Sequence, residues 1–197
     1  AVGVAGCTAL MLTGMGLGDS IRTIADEQFD GIFLYDYEIT FSSARSQSQQ
    51  DRFVRQSAQL LDQSVFVRAD TLQVDAQGVM KTANIVATDD PALRDMVNLS
   101  LDGQPAAYPT DGKIAVSRKL AEFAGVEPGD LLTLYLDDGS ARQVEVGSVF
   151  DNYIYHYIYM TGATYESITG EPCDCQTAYA VSSRTDYHAV SAALMSD

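Results

Sequence analysis

The sequence of 197 residues is poor in several residue types, and each shortage narrows the classes of protein that it can belong to. It has no tryptophan, two histidines, three cysteines and three lysines, and its 12 basic side chains stand against 27 acidic ones. A formal net charge of −15 repels the phosphate backbone of nucleic acids, so nucleic-acid binding is excluded. With 46% hydrophobic and 20% charged residues, the chain has the composition of a globular protein rather than a disordered one.

The few cysteines and histidines do not form a recognisable metal or redox motif. Cys173 and Cys175 stand as a C-x-C pair in GEPCDCQT, whereas zinc usually takes four ligands and redox pairs usually have two intervening residues. This pair either closes a small disulfide loop or stays as two thiols. The acidic pairs at 89–90 and 137–138 lack the spaced pattern of a calcium-binding loop, and we interpret them as turns. We therefore predict no metal and no cofactor.

One long stretch carries no charge at all. Residues 1–18, AVGVAGCTALMLTGMGLG, precede the charged sequence DSIRTIADEQFDGIF, and no proline separates the two. Eighteen helical residues span roughly 27 Å, close to the ~30 Å hydrocarbon core of a bilayer. We predict that 1–18 form the outer part of a transmembrane helix. Gly14 and Gly18 form a G-x-x-x-G pair, which allows another membrane helix to pack closely.

The helical pattern continues beyond the uncharged stretch. Positions with helical spacing on one stripe are Ile21, Ile24, Ala25 and Gln28. We therefore predict that residues 19–32 extend the membrane helix into an outer domain, so that the fold is preceded by a long N-terminal helix. Movement of such a helix would act on the domain as a lever.

Other interpretations of the N-terminal stretch remain open. Val4-Ala5-Gly6-Cys7 fits a lipoprotein processing site, which would make the chain a lipid-anchored extracytoplasmic binding protein with Cys7 as the lipidation site. A helix buried in a soluble core is a further alternative. A secretory signal peptide is disfavoured because no basic residue precedes Arg22.

Residues 33–197 are predicted to form an α+β domain with a mostly antiparallel sheet and flanking helices, because turn signals at 76–78 and 138–139 indicate tight hairpins. Predicted strands cover 34–41, 64–75, 79–88, 114–117, 132–136, 144–149, 153–160 and 177–182. Predicted helices cover 51–61, 90–99, 118–126, 163–169 and 186–195, with Ser117 as N-cap and Gly125 as left-handed C-cap of the third. The sequence LDGQPAAYPTDG, 101–112, holds two prolines and two glycines and is the candidate boundary between two lobes.

Four tyrosines alternate within NYIYHYIYM, and a strand over this segment would place Tyr153, Tyr155, Tyr157 and Tyr159 on one face. Such a row is a candidate partner-binding surface, since tyrosine is frequent at interfaces. Packing beneath a helix, with the hydroxyls reaching solvent, is the favoured alternative. His156 would lie on the opposite, apolar face as a buried and hydrogen-bonded side chain.

A hydrolytic site finds little support. Ser117 and either His156 or His188 could be combined with one of many aspartates, but no G-x-S-x-G sequence or comparable motif surrounds any serine. We predict that the chain is not an enzyme and has no catalytic residues.

Three segments together resemble a known family. GVAGCTALMLTGMGLGDSI, KIAVSRKLAEFAGVEPGDLLTLYLDDGSARQVEVGSVFDNY and HYIYMTGATYESITGEP resemble the second extracellular domain of FtsX-like ABC transporter permeases of Gram-positive bacteria. These domains are similar in architecture to the MacB-type periplasmic core domain. Residues 42–112 match only in general layout.

The resemblance implies a permease subunit in the cell membrane, with this domain on the extracellular face. It also implies a cytoplasmic ABC ATPase subunit as partner, and an extracellular substrate or accessory protein. In such families, long helices transmit ATP-driven closure to the outer domain, which has no catalytic residues. A returning membrane segment is then expected after Asp197.

Overall fold

A computed structural model describes residues 27–195, and their central feature is a mixed eight-stranded sheet flanked by five α-helices. The predicted membrane helix at 1–18, with Cys7, Gly14 and Gly18, lies outside the described residues. So does most of the predicted extension at 19–32. Its last six residues, Glu27–Ile32, form a π-helix.

The strands in chain order are β1 (Tyr37–Thr40), β2 (Gln63–Ala76), β3 (Val79–Ala87), β4 (Ser100–Leu101), β5 (Gln104–Pro105), β6 (Lys113–Ser117), β7 (Leu131–Tyr135), β8 (Ala141–Phe150), β9 (Tyr157–Met160) and β10 (Thr177–Val181). The helices are α1 (Gln47–Ser57), α2 (Leu93–Met96), α3 (Arg118–Ala124), α4 (Gly162–Thr169) and α5 (Tyr187–Leu194). The α+β class is therefore confirmed.

The large sheet has the order β1-β10-β2-β3-β9-β6-β8-β7, and β2 also pairs with β7, so that six of its strands close into a ring. Two pairings at its centre, β3 with β9 and β6 with β8, are parallel. The sheet is thus mixed, and the prediction of a mostly antiparallel sheet was wrong. Hairpin signals reveal only pairings between strands that follow each other, whereas these parallel partners are separated by other elements.

The two predicted hairpins and the helix C-cap are confirmed. The β2–β3 turn uses Gly78 at φ 84°, and the β7–β8 turn uses Gly139 at φ 78°, a region that glycine enters without steric cost. Gly125 ends α3 at φ 67°. Ser117 is the N-cap residue of α3, but its hydroxyl accepts a hydrogen bond from the Tyr157 amide instead of capping the helix.

The core divides into two main clusters on either side of the sheet. One side is covered by α3 and α4, and it buries Ile85, Leu120, Val146 and Ile158 completely. The other side buries residues from β2, β8 and β9 beneath the segment that leads into β1. Because both faces of the central strands are covered, the sequences of these strands are continuously apolar and do not alternate between apolar and polar residues.

The candidate lobe boundary, 101–112, contains the short β4–β5 hairpin. The amide of Asp102 donates to Asp151 over 2.8 Å, and the Arg118 guanidinium contacts both carboxylates, at 2.6 Å and 2.9 Å. These contacts fix the hairpin to the end of β8 and the start of α3. A division into lobes at this point stays a prediction.

Candidate functional site

The residues that lead into β1, 27–36, are attached to the domain at several points; we call them the lead-in segment. Backbone hydrogen bonds join Leu34 to Met96 and Asn98 to Ile32, each over 2.8 Å. The Asn98 side chain also donates to the Gly31 carbonyl over 3.0 Å. The lead-in segment is therefore bonded to the loop that follows α2, on the side opposite to α3 and α4.

Gln28 provides a second attachment, and it is completely buried. Its amide group donates to the Asn152 side chain over 2.9 Å and accepts from the amides of Tyr153 and Ile154 over 2.9 Å and 3.2 Å. A buried amide is costly unless it is hydrogen-bonded, and here its oxygen and nitrogen both have partners. Gln28 thus fixes the lead-in segment to the loop between β8 and β9.

This loop, residues 152–156, carries two of the predicted tyrosines; we call it the tyrosine loop. The Asn152 side chain donates to the carbonyls of Ile154 and Tyr155, over 2.6 Å and 3.2 Å. Tyr155 adopts φ 62°, a conformation that is uncommon for residues other than glycine, asparagine and aspartate. Gln28 and Asn152 together therefore hold the loop in a strained conformation, and strained backbone concentrates at functional sites.

The predicted row of four tyrosines is divided. The strand that was predicted from 153 begins only at Tyr157, because the chain bends through the tyrosine loop. Tyr153 and Tyr155 are 48% and 76% exposed, whereas Tyr157 is half-buried and Tyr159 is 1% exposed. The interpretation as one continuous face was wrong, and of the four only Tyr153 and Tyr155 are exposed.

Tyr157 and Tyr159 belong instead to an aromatic cluster, formed by Phe33, Tyr35, Tyr157, Tyr159 and Tyr179. The rings of Tyr35 and Tyr179 are stacked with centroids 4.2 Å apart, and Phe33 meets the edge of Tyr157 at 5.6 Å. Burial raises the pKa of Tyr159 and Tyr179 well above the usual value for tyrosine, so both stay neutral. The cluster packs the lead-in segment against β9 and β10.

His156 is half-buried and differs from the predicted hydrogen-bonded residue. Its Nδ1 atom has no hydrogen-bond partner within residues 27–195, and its ring meets the edge of Phe123 at 5.6 Å. Desolvation by burial, together with the charges of Lys81 and Lys119, lowers the pKa of His156. Ser117 is fully buried and holds the Tyr157 amide, so it is occupied in a structural contact.

A polar cluster of Arg68, Asp70 and Tyr165 joins β2 to α4. The Tyr165 hydroxyl donates to Asp70 over 2.7 Å, and Arg68 contacts the same carboxylate at 3.1 Å. Burial acts to raise the pKa of Asp70, but the hydrogen bonds from Tyr165, the Thr71 amide and Arg68 outweigh it and lower this pKa. The cluster stabilises the docking of α4 on the sheet.

The structure has Cys173 and Cys175 as free thiols rather than as a disulfide. The hydrogen bond with Cys175 and burial raise the pKa of Cys173, so this thiol stays protonated. Within residues 27–195, no group of three or more histidine, cysteine or acidic side chains is placed to hold a metal ion.

A groove of about 610 Å³ lies at the opposite edge of the sheet, between β1, α1 and α5. Phe41, Arg45 and Arg52 are among its lining residues, and none of the tyrosine-loop residues lines it. Across the same described range, no helix has both the length and the apolar composition needed to cross a bilayer.

The helical spacing placed Gln28 on a stripe with Ile21, Ile24 and Ala25, but its partner Asn152, 124 residues further along the chain, was missed. A polar side chain at a buried stripe position is a usable signal, because such a group needs a hydrogen-bond partner inside the fold. The partner itself has no local signal. The residues around His156 had no local signal either, because only the fold brings β3 and α3 together. They are Lys81, Lys119 and Phe123.

Neither the scan against protein-family models nor the search of curated proteins gives a match. Among solved structures, the chain is similar to the extracellular domain of the noncanonic ABC-type transporter YknZ from Gram-positive bacteria. The TM-score is 0.53 at 13% sequence identity, over 76% of this chain and 83% of that one. It is also similar to the periplasmic region of MacB from Actinobacillus actinomycetemcomitans, with a TM-score of 0.50 at 11% identity, over 81% and 79% of the two chains. The chain therefore shares the fold of the extracellular and periplasmic domains of MacB-type ABC transporters.

Proposed function

We propose that this chain is the extracellular domain of an FtsX-like ABC transporter permease and that its lead-in segment transmits movement from a membrane helix to the domain. The fold supports the first part, because the similar solved structures are outer domains of ABC transporters. The membrane helix is the one predicted for 1–18, and the cytoplasmic partner is an ABC ATPase. The domain then stands on the extracellular face of the cell membrane and handles a substrate or an accessory protein.

The observation that carries the mechanical part is the attachment of the lead-in segment. The buried Gln28 amide bonds to the tyrosine loop, the Asn98 side chain bonds to the Gly31 carbonyl, and Phe33 packs on Tyr157. A segment fixed at several points cannot rotate freely against the sheet. Force applied at residue 27 therefore moves β9, β10 and the tyrosine loop with it.

The test uses the full-length protein that contains this chain, purified with its copurifying subunits and reconstituted into lipid nanodiscs. The native cysteines are replaced by serine, and a dye is attached at Val79→Cys, because Val79 is 57% exposed at the β2–β3 hairpin. Energy transfer to a lipid dye reports the distance between the domain and the bilayer. We expect this distance to change when ATP is added.

Gln28→Ala is the decisive variant, and Gln63→Ala is its matched control, because Gln63 donates only one exposed side-chain hydrogen bond, to Asp95. We expect Gln28→Ala to keep ATP turnover while losing more than half of the ATP-dependent distance change. Asn98→Ala removes one exposed hydrogen bond of the lead-in segment and should give a smaller loss in the same direction. A preparation with no nucleotide-binding subunit and no response to ATP, or a diacylglyceryl group on Cys7, would contradict the permease proposal.

A further inference from the structure

Two of the three lysines lie near one aromatic pair, Phe123 and His156. The Lys81 Nζ atom lies 4.8 Å from the centre of the Phe123 ring, whose edge-on neighbour is His156, with ring centroids 5.6 Å apart. Lys119 lies one turn before Phe123 on α3, and its charge acts on His156. We call Lys81, Lys119, Phe123 and His156 the basic patch.

The cations of the basic patch lack carboxylate partners. Neither Lys81 nor Lys119 forms an ion pair with any acidic side chain in the described part of the chain. Lys113, by contrast, contacts Glu145 at 2.7 Å, and Arg118 contacts two carboxylates. In a chain with 27 acidic and 12 basic side chains, two lysines that both act on His156 and form no ion pair leave a local positive charge unneutralised.

The basic patch also has an apolar component. Phe123 is 40% exposed although it lies on a helix that buries Leu120 and Ala121 against the sheet. Tyr155, next to His156 in the chain, is 76% exposed. Aromatic side chains such as these are enriched in protein interfaces.

We propose that the basic patch is the docking site for a short acidic segment of a partner protein, in which carboxylates meet Lys81 and Lys119 and an apolar side chain packs on Phe123. This inference rests on the proposed function, and it assigns to the outer domain the chemistry of its accessory partner. A long polyanion fits less well. Its charges would extend beyond the two lysines and come within the ~8 Å screening length of the surrounding acidic side chains, in a chain with net charge −15.

The test is an anisotropy titration of the 197-residue chain, in detergent where it requires one, with two fluorescent probes. One is a short peptide of alternating glutamate and leucine, and the other has glutamine at each glutamate. We expect the acidic probe to bind at least about fivefold more tightly, since exposed ion pairs contribute up to about 1 kcal/mol each. Equal binding of the two probes would overturn the proposal.

Two double variants with the same change in net charge separate the patch from the overall field. Lys81→Glu with Lys119→Glu should weaken binding of the acidic probe by about tenfold. Arg52→Glu with Arg55→Glu, at exposed positions on α1, should change it by less than about twofold. Equal weakening in both double variants would show that only net charge matters, and would reject the site.

Phe123→Ala tests the apolar contact without a change in charge and should weaken binding of the acidic probe by about threefold. Far-UV circular dichroism establishes that each variant is folded. Inorganic polyphosphate that binds more tightly than the acidic probe would show that the occupant is a polyanion and would overturn the assignment to a protein segment. None of these measurements needs an ATPase or a membrane, so their failure is distinct from failure of the permease proposal.

Discussion

At the scale of single residues, the buried amides are the most consequential side chains, because each serves several backbone groups at once. Gln28 satisfies the amides of two loop residues and Asn152 satisfies two carbonyls. Removal of Gln28 takes the donor from the side-chain oxygen of buried Asn152 and an acceptor from two part-buried backbone amides. Such groups cost about 1–3 kcal/mol each when they are left unsatisfied.

Gln28→Ala should therefore lower the free energy of unfolding by about 2–4 kcal/mol. Gln63→Ala removes a single exposed hydrogen bond, to Asp95, and should change it by less than about 0.5 kcal/mol. Urea denaturation followed by circular dichroism measures both values. Similar small effects for the two variants would mean that the amide contacts at Gln28 contribute little to stability.

The Asp70 cluster gives a pH dependence whose sign follows from the direction of the pKa shift. Asp70 has a lowered pKa in the folded chain, so its contribution to stability is present above about pH 3.9 and is lost as the pH falls through the folded value. Tyr165→Phe removes the hydroxyl that donates to Asp70 and should cost about 1 kcal/mol at pH 7.

The difference in unfolding free energy between Tyr165→Phe and the unmodified chain should decrease as the pH falls from about 5 to 2. The reason is that a hydrogen bond from Tyr165 to protonated Asp70 contributes less than one to the carboxylate. Urea denaturation across this pH range measures the difference. Tyr155→Phe serves as control, since its ring is 76% exposed and the substitution should be neutral at every pH. A difference that does not change with pH would show that the effect of Tyr165→Phe does not depend on the ionisation of Asp70.

At the scale of elements, hairpins and caps could be predicted from the sequence because their signals are local. Gly78, Gly125 and Gly139 mark left-handed positions that the structure contains. The start of α1 also had a local signal that was overlooked, the capping box of Ser46 and Gln49, which shifts the helix from the predicted 51–61 to Gln47–Ser57. The parallel pairing of β3 with β9 has no local signal, since it depends on distant parts of the chain.

The alternating sequence NYIYHYIYM shows why the candidate site was only half predictable. Alternation alone indicates a strand from Tyr153, but the contacts of Gln28 and Asn152 bend the chain until Tyr157. The Gln28 contacts join residues that are more than a hundred positions apart, whereas those of Asn152 lie within the loop. The local pattern therefore identified the segment that carries the tyrosines but wrongly placed all four side chains on one face.

The division of the tyrosines can be tested through stability. Tyr159 is 1% exposed in the middle of the aromatic cluster, so Tyr159→Ala should cost about 3–5 kcal/mol, as expected for removing a large buried aromatic ring. Tyr155→Ala should cost less than about 0.5 kcal/mol because most of its ring is in solvent. Thermal or urea denaturation compares the two. Equal costs would contradict the placement of these side chains on either side of the bend.

At the scale of the whole molecule, attachment and docking occupy different faces. The lead-in segment packs on β9 and β10 through the aromatic cluster, whereas the basic patch lies where α3 meets β3. The tyrosine loop runs between them, since Gln28 holds one end of it and His156 belongs to the patch. Movement of the lead-in segment would therefore reach the docking face through a chain of direct contacts.

The N-terminal stretch makes the last prediction, which concerns the state of the whole chain in solution. Residues 1–18 carry no charge, and an apolar surface of that size promotes association in water. We expect the 197-residue chain to sediment as assemblies without detergent and a chain that begins at Asp19 to sediment as a monomer. In detergent above its critical micelle concentration the two should behave alike, which controls for unfolding. Monomeric sedimentation of both chains in plain buffer would count against a membrane origin for 1–18. It would also count against the proposal that the lead-in segment transmits movement from a membrane helix to the domain.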